Sequence, residues 1–182
     1  EMCIRDSDSS AHKLALIEGE SGIGKTRLAH EFIERVNALA LIGAARELEH
    51  NLPYQPVIEA LRNLLSTLQS RLLCETVKTE TPQVWLNEVA RLLPELAPKT
   101  NPLAVAPDEA RLWEGINQFL QTLAKHQPLI MFLDDIHWAD SSTLALLGYL
   151  VRQATHSTVM FVATARSQNT SCLLYTSPSP RD

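Results

Sequence analysis

Apolar positions along the chain fall into two alternating patterns, short continuous runs and longer stretches with helical spacing. Leu14-Ala15-Leu16-Ile17 is a run that ends in a Gly-rich turn, which reads as a buried strand feeding a loop. From Thr26 to about Asn37, Leu28, Phe32, Ile33 and Val36 share one helical face, with Arg27, Glu31, Glu34 and Arg35 opposite. Ala40 to Ala45 predicts a second strand, although Ala and Gly are weak strand formers. Pro53 and Pro56 bracket a turn into a helix whose apolar face is Val57, Leu61, Leu64, Leu65, Leu68 and Leu72. A shorter helix is predicted from about Pro82 to Leu93, and the proline-rich segment from Pro94 to Pro107 as a loop. Asp108 is placed to cap a helix carrying Leu112, Trp113, Ile116, Phe119, Leu120 and Leu123.

The second half completes the alternation. Leu129-Ile130-Met131-Phe132-Leu133 is continuously apolar and ends in Asp134-Asp135, as a central parallel strand ends at a functional edge. Ser141 or Ser142 is expected to cap a helix that turns Leu144, Leu147, Leu150 and Val151 inward. Val159-Met160-Phe161-Val162-Ala163 forms the next buried strand and leads to Thr164-Ala165-Arg166. Strands alternating with helices predict an α/β fold, a parallel sheet sandwiched by helices.

The ends change this picture. Met2-Cys3-Ile4-Arg5-Asp6-Ser7 reads as the translation of ATG TGT ATA AGA GAC AGN, which resembles a transposase mosaic-end sequencing adapter. The reverse complement of that adapter, with its continuation, accounts for Cys172 to Asp182. Residues 1–7 and 172–182 are therefore expected to be adapter-derived scars outside the fold, leaving a partial domain over 8–171, open at both ends. About 164 residues suffice for one domain with a proper core. The formal charge of −5 becomes −4 without the scars, and no Lys/Arg run occurs, so direct nucleic-acid binding by this segment is not expected. Cys74 is then the one remaining cysteine, which excludes a disulfide framework and fits a reducing, cytoplasmic setting with Cys74 in the core. No run of 18 apolar residues is present, so no membrane span is expected.

Candidate chemistry concentrates in two places. Gly19-Glu20-Ser21-Gly22-Ile23-Gly24-Lys25-Thr26 fits the pattern G-x-x-x-x-G-K-[ST], called Walker A. Successive backbone N–H groups can wrap a polyphosphate only where side chains do not intrude and unusual φ values are allowed, hence the three glycines. The following helix points its positive dipole end at the same anion. Lys25 is expected to reach the β- and γ-oxygens, and the Thr26 hydroxyl to enter the Mg²⁺ shell. Chance matching of this pattern in a chain this long is on the order of one per cent. The second place is the strand end, the Walker B pattern. Asp134 is expected to act on Mg²⁺ and Asp135 to orient or deprotonate the attacking water. Thr164 stands where a polar group can sense the γ-phosphate, and Arg166 is a further candidate for a phosphate contact, with a surface ion pair as its alternative. His137, Trp138 and Asp140 follow the acids, but no second His or Cys stands at ligand spacing, so no metal or catalytic role is assigned to them. Trp138 is read as a packing residue, and Trp85 and Trp113 as core. His12, His30, His50, His126 and His156 are scattered, with solvated or capping roles expected.

ATP is favoured over GTP. A D-x-x-G motif would put glycine at 137 or 138, where His137 and Trp138 stand, and no N-K-x-D motif occurs; an ABC-transporter Leu-Ser-Gly-Gly-Gln signature is absent as well. Gly19 to Thr26 followed by Arg27-Leu28, then Leu52-Pro53-Tyr54-Gln55-Pro56, Leu133 to Asp140, and Ala163-Thr164-Ala165-Arg166 together resemble the AAA-type ATPase domain of the STAND signal-transduction regulators. That domain is found in bacterial LuxR-type and SARP-type transcriptional activators. The resemblance implies a nucleotide switch, ADP-bound and closed at rest, ATP-bound and oligomeric when a C-terminal sensor of the same protein meets its inducer. It implies nucleotide contacts from Gly19, Glu20, Ser21, Gly22, Ile23, Gly24, Lys25, Thr26, Arg27, Thr164 and Arg166, Mg²⁺ contacts from Thr26 and Asp134, and catalysis by Lys25 and Asp135. The family's Gly-Arg-Glu motif before the first strand and its last sheet strand are missing from the sequence, so the sheet is expected to end on an open edge. Two other readings stay open: an oligomeric remodelling ATPase that turns hydrolysis into mechanical work, and a scaffold that holds nucleotide without cleaving it.

Overall fold

Six consecutive residues with no polar side chain before the last, Leu129–Asp134, need cover on both faces, and the sequence buries them as an interior strand of a five-stranded sheet. The computed structural model describes residues 3–6, 13–64, 68–97 and 108–166. Its strands are β1 (Cys3–Asp6), β2 (Leu14–Glu18), β3 (Leu39–Ala44), β4 (Leu129–Asp134) and β5 (Val159–Ala165), in the order β1-β2-β5-β4-β3. The pairs β2–β5, β5–β4 and β4–β3 are parallel. Their registers bring Glu18 opposite Ala165, and Asp134 opposite Ala44, so the C-terminal ends of all four parallel strands form one edge. The strands expected from apolar runs are thus found, including the Ala-rich β3.

β1 lies antiparallel on the outer edge of β2, with Cys3 opposite Glu18 and Asp6 opposite Ala15. These residues were expected outside the fold, and the edge they occupy was expected to be open. A bare strand edge offers a row of unpaired N–H and C=O groups to any extended chain, so this pairing depends on backbone.

The helices are α1 (Lys25–Arg35), α2 (Gln55–Asn63), α3 (Leu68–Glu80), α4 (Gln83–Val89), α5 (Glu109–His126) and α6 (Ser141–Gln153). Two expectations need correction. The helix expected to run from Val57 to Leu72 is two: Leu61 on α2 and Leu64 just after its end are buried, but Leu72 is 69% exposed and α3 buries Cys74 and Val77 instead. Apolar spacing serves one long helix or two short ones equally, because periodicity does not carry phase across a break. The face of α1 is also rotated. Ala29 is the fully buried contact, Leu28 and Ile33 flank it, and Phe32 is 38% exposed. A small residue at the contact lets the helix approach the sheet closely, and the His30 ring meets Phe132 edge-on at 5.5 Å between centroids.

The cap of α6 is Asp140, not Ser141 or Ser142. Its carboxylate accepts from the Thr143 amide at 2.9 Å, satisfying a donor that has no partner inside the helix. Asp108 caps α5 as expected, accepting from Ala110 N at 2.9 Å. α4 ends at Val89 rather than near Leu93, although Leu93 stays buried beyond a turn. Within the expected loop, Pro94–Leu96 is a single 3₁₀ turn that buries Leu96; residues 98–107 lie outside the described part.

The main core lies between the sheet and α2 to α6, with Phe119, Leu120, Ile116, Leu61, Met131 and Phe161 fully buried. Cys74 belongs to it, and burial pushes its thiol up to about 11. Trp113 is only partly buried against this core, and Trp85 is half-buried. Under α1 the buried set is smaller: Ile17, Ala29, Ile130, Phe132 and Val162. No helix among the described residues is long and apolar enough to cross a membrane.

Candidate functional site

The turn between β2 and α1 carries the conformations its sequence calls for. Gly22 has φ 80° and Gly24 φ 101°, left-handed values that cost an L side chain strain, and a Cβ at either position would meet nothing within 4 Å. Gly22 and Gly24 are therefore required by backbone conformation and not by lack of space. The Gly19 amide anchors the loop to the Ala165 carbonyl at 3.3 Å. Lys25 opens α1 and is buried, with Nζ donating to the carbonyls of Gly19 at 3.0 Å and Glu20 at 2.8 Å. The side chains of Glu20, Ser21, Ile23 and Arg27 point to solvent, so within this loop the groups available to an anion are main-chain N–H and the ammonium.

Next to this turn stand the acids from β4. Thr26 Oγ1 donates to Asp134 Oδ1 and Oδ2 at 3.1 and 2.9 Å, which ties the start of α1 to the end of β4. Thr164, fully buried on β5, donates from its hydroxyl to Asp134 Oδ1 and accepts from the Asp135 amide at 2.8 Å. One hydroxyl thus serves both acids. Asp135 itself leaves the strand with φ 52°, ψ 42°, a conformation uncommon for a residue with a side chain. Its carboxylate is 43% exposed and makes a long contact with His137 Nδ1 at 3.7 Å. Arg166 places its guanidinium 5.8 Å from the centre of the Trp138 ring. Lys25, Thr26, Asp134, Asp135 and Thr164 therefore meet at one corner of the strand edge, and Arg166 borders it on Trp138.

A sequence model described as the AAA ATPase domain matches residues 3–162. The chain belongs to the AAA ATPase domain family. The parallel α/β sheet with its phosphate loop is accordingly a P-loop NTPase fold, and nucleotide binding is the property this family membership carries. The AAA domain is also similar to the hybrid signal transduction histidine kinase G of Dictyostelium discoideum, 26% identical over 161 residues, 81% of this chain and 5% of the relative. The chain thus spans about 5% of that relative's length. No solved structure matches it.

The donor set of the AAA domain fits magnesium. A hydroxyl and a carboxylate, Thr26 and Asp134, are hard oxygen ligands within hydrogen-bond distance of each other, and Mg²⁺ commonly takes one or two protein oxygens with phosphate and water completing its shell. Among the described residues no group of three or more His, Cys, Asp or Glu is disposed to hold a metal by itself.

Three residues matter more than their sequence context indicated. Asp140 holds α6 and also accepts from the Tyr54 amide at 3.2 Å, joining the helix after the acids to the turn before α2. Tyr54, in a left-handed conformation, passes the connection on: its hydroxyl donates to Glu109 and accepts from Trp113 Nε1 at 3.0 Å. Burial, then the bond to Glu109, raises its phenol above the ordinary range. His137 is the third. Its imidazole is 1% exposed, with no hydrogen-bond partner for either ring nitrogen. Burial, with Arg166 and Lys25 nearby, pushes its pKa down, against the pull of Asp135 and Asp134. A D or N before S-S-T is a cap signal that could have identified Asp140; nothing in the one-dimensional pattern marks His137 as buried.

Proposed function

We propose that this chain is the ATP-binding, slowly hydrolysing switch module of a STAND-type signal-transduction or transcriptional regulator, working in the cytoplasm with the sensor and output domains of the same protein. The convergence of Lys25 from the phosphate loop with Thr26 and Asp134, while Asp135 faces solvent beside them, carries this reading. The signal-transduction name of the Dictyostelium relative supports its regulatory half.

In this reading the main-chain N–H groups of Gly19 to Thr26 hold the β- and γ-phosphates of ATP. Lys25 exchanges its two carbonyl partners for phosphate oxygens, a charge-assisted pairing at short range. Thr26 and Asp134 hold magnesium, which when bound supplies a Lewis acid toward the phosphoryl oxygens. Asp135 orients a water for in-line attack and accepts its proton. Thr164 fixes both acids, and Arg166 lies at the rim within reach of an anion. Glu20, Ser21, Ile23 and Arg27 contribute their backbone and the exterior of the loop. ATP in place of ADP would favour a homo-oligomer.

Titration of mant-ATP into this chain and into Lys25→Ala, with ATP turnover measured on both, tests the proposal. Removing the ammonium is expected to weaken binding about ten- to hundredfold, the effect of losing a hydrogen-bonded charge pair, and to abolish turnover. Equal affinity for the two proteins would sink it.

A further inference from the structure

His137 is the one buried polar side chain at the strand edge that has no work to do in the described arrangement. Its ring is sealed from solvent, both nitrogens lack partners, and Nδ1 lies 3.7 Å from Asp135 Oδ1, about half an ångström beyond an ordinary hydrogen bond. An orphaned buried donor is rare in folded proteins and marks a strained or catalytic position. The neighbours restrict what can relieve it. Trp138 packs on the ring at 5.1 Å between centroids, so the imidazole is held from the side, and Ile136 before it is fully buried. Asp135 is the partner with room to adjust: its side chain is 43% exposed, while its main chain is held by the Thr164 hydroxyl. A small rotation of the carboxylate closes the gap without moving the backbone.

We infer that His137 is the positioning residue of Asp135, a donor that captures one carboxylate oxygen when Mg-ATP occupies the site and thereby aims the other at the attacking water. The inference rests on the hydrolytic reading above. It gives the orphaned ring a partner and explains why an exposed acid, otherwise free to rotate, has one productive orientation. The same logic holds where a second residue orients a catalytic group through its own hydrogen bond.

The test uses this chain with His137→Phe, His137→Asn, Asp135→Asn and the pair His137→Phe with Asp135→Asn. In His137→Phe, which keeps an aromatic volume, turnover is expected to fall on the order of ten- to hundredfold, while mant-ATP affinity changes by less than about twofold. The Asn variant retains an N–H donor near the position of Nδ1 and is expected to recover most of the rate. On the Asp135→Asn background the Phe substitution is expected to cost nothing more, because the group it positions is already disabled. Turnover unchanged in His137→Phe, or the same fractional loss on both backgrounds, overturns the inference. A readout apart from activity is the ¹⁵N spectrum of the imidazole. Magnesium with the non-hydrolysable analogue AMP-PNP is expected to shift the His137 signals in the unaltered chain and not in Asp135→Asn, and no shift in the unaltered chain overturns the inference even if His137→Phe fails to fold. Failure of the hydrolytic reading itself looks different: turnover of the unaltered chain would match that of Lys25→Ala, and the inference would fall with it.

Discussion

The two faces of the sheet are covered very differently. One carries α2 to α6 and closes over Phe119, Leu120, Ile116, Met131 and Phe161; the other carries α1, which touches the strands through Ala29 and leaves Phe32 and Val36 substantially exposed. Apolar burial scales with the area removed from water, so the first face supplies most of the folding free energy. The second face bears the helix that begins with Lys25 and Thr26. Its attachment to the sheet is partly polar, through the Thr26 bonds to Asp134. Stability and chemistry are thus divided: the thick layer fixes the strand ends, and the thinly covered helix presents the phosphate loop to them.

The largest effect that separates the two faces is expected from Phe119→Ala, which leaves a cavity in the thick layer and should lower unfolding free energy in urea by about 3–5 kcal/mol. Smaller, but from the same layer, is Gly43→Ala. A methyl group there would lie 1.9 Å from the Pro56 carbonyl oxygen, and backbone must shift to admit it, at a cost of about 1–3 kcal/mol by the same measurement. The smallest is Phe32→Gln on α1, where the change in stability should stay within about 0.5 kcal/mol. A loss for Phe32→Gln as large as that for Phe119→Ala would break the comparison, since α1 would then carry stability in its own right.

Much of this was legible in the sequence, and the exceptions have physical causes. Continuous runs such as Leu129 to Leu133 can only be buried on both faces, which fixes β4, and Gly22 and Gly24 of the loop are required by their left-handed backbone conformation. The break between α2 and α3 was not legible, because Leu64 and Leu72 keep helical spacing whether or not one helix joins them. Nor was the contact of α1, where hydrophobicity points to Phe32 but close approach favours Ala29. At the site, Asp134 could be read from its place at a strand end. The partners of Thr164 and the burial of His137 arise from β5 and the turn after β4 meeting in space, and no spacing along the chain records that meeting.

The Thr164 hydroxyl reaches the side chain of one acid and the main chain of the next from a strand that contributes no acid of its own. A slip of β5 along β4 by even a fraction of a residue would therefore disturb the side chain of Asp134 and the main chain of Asp135 together. Whatever displaces the end of β5 therefore moves both acids at once, through a single hydroxyl.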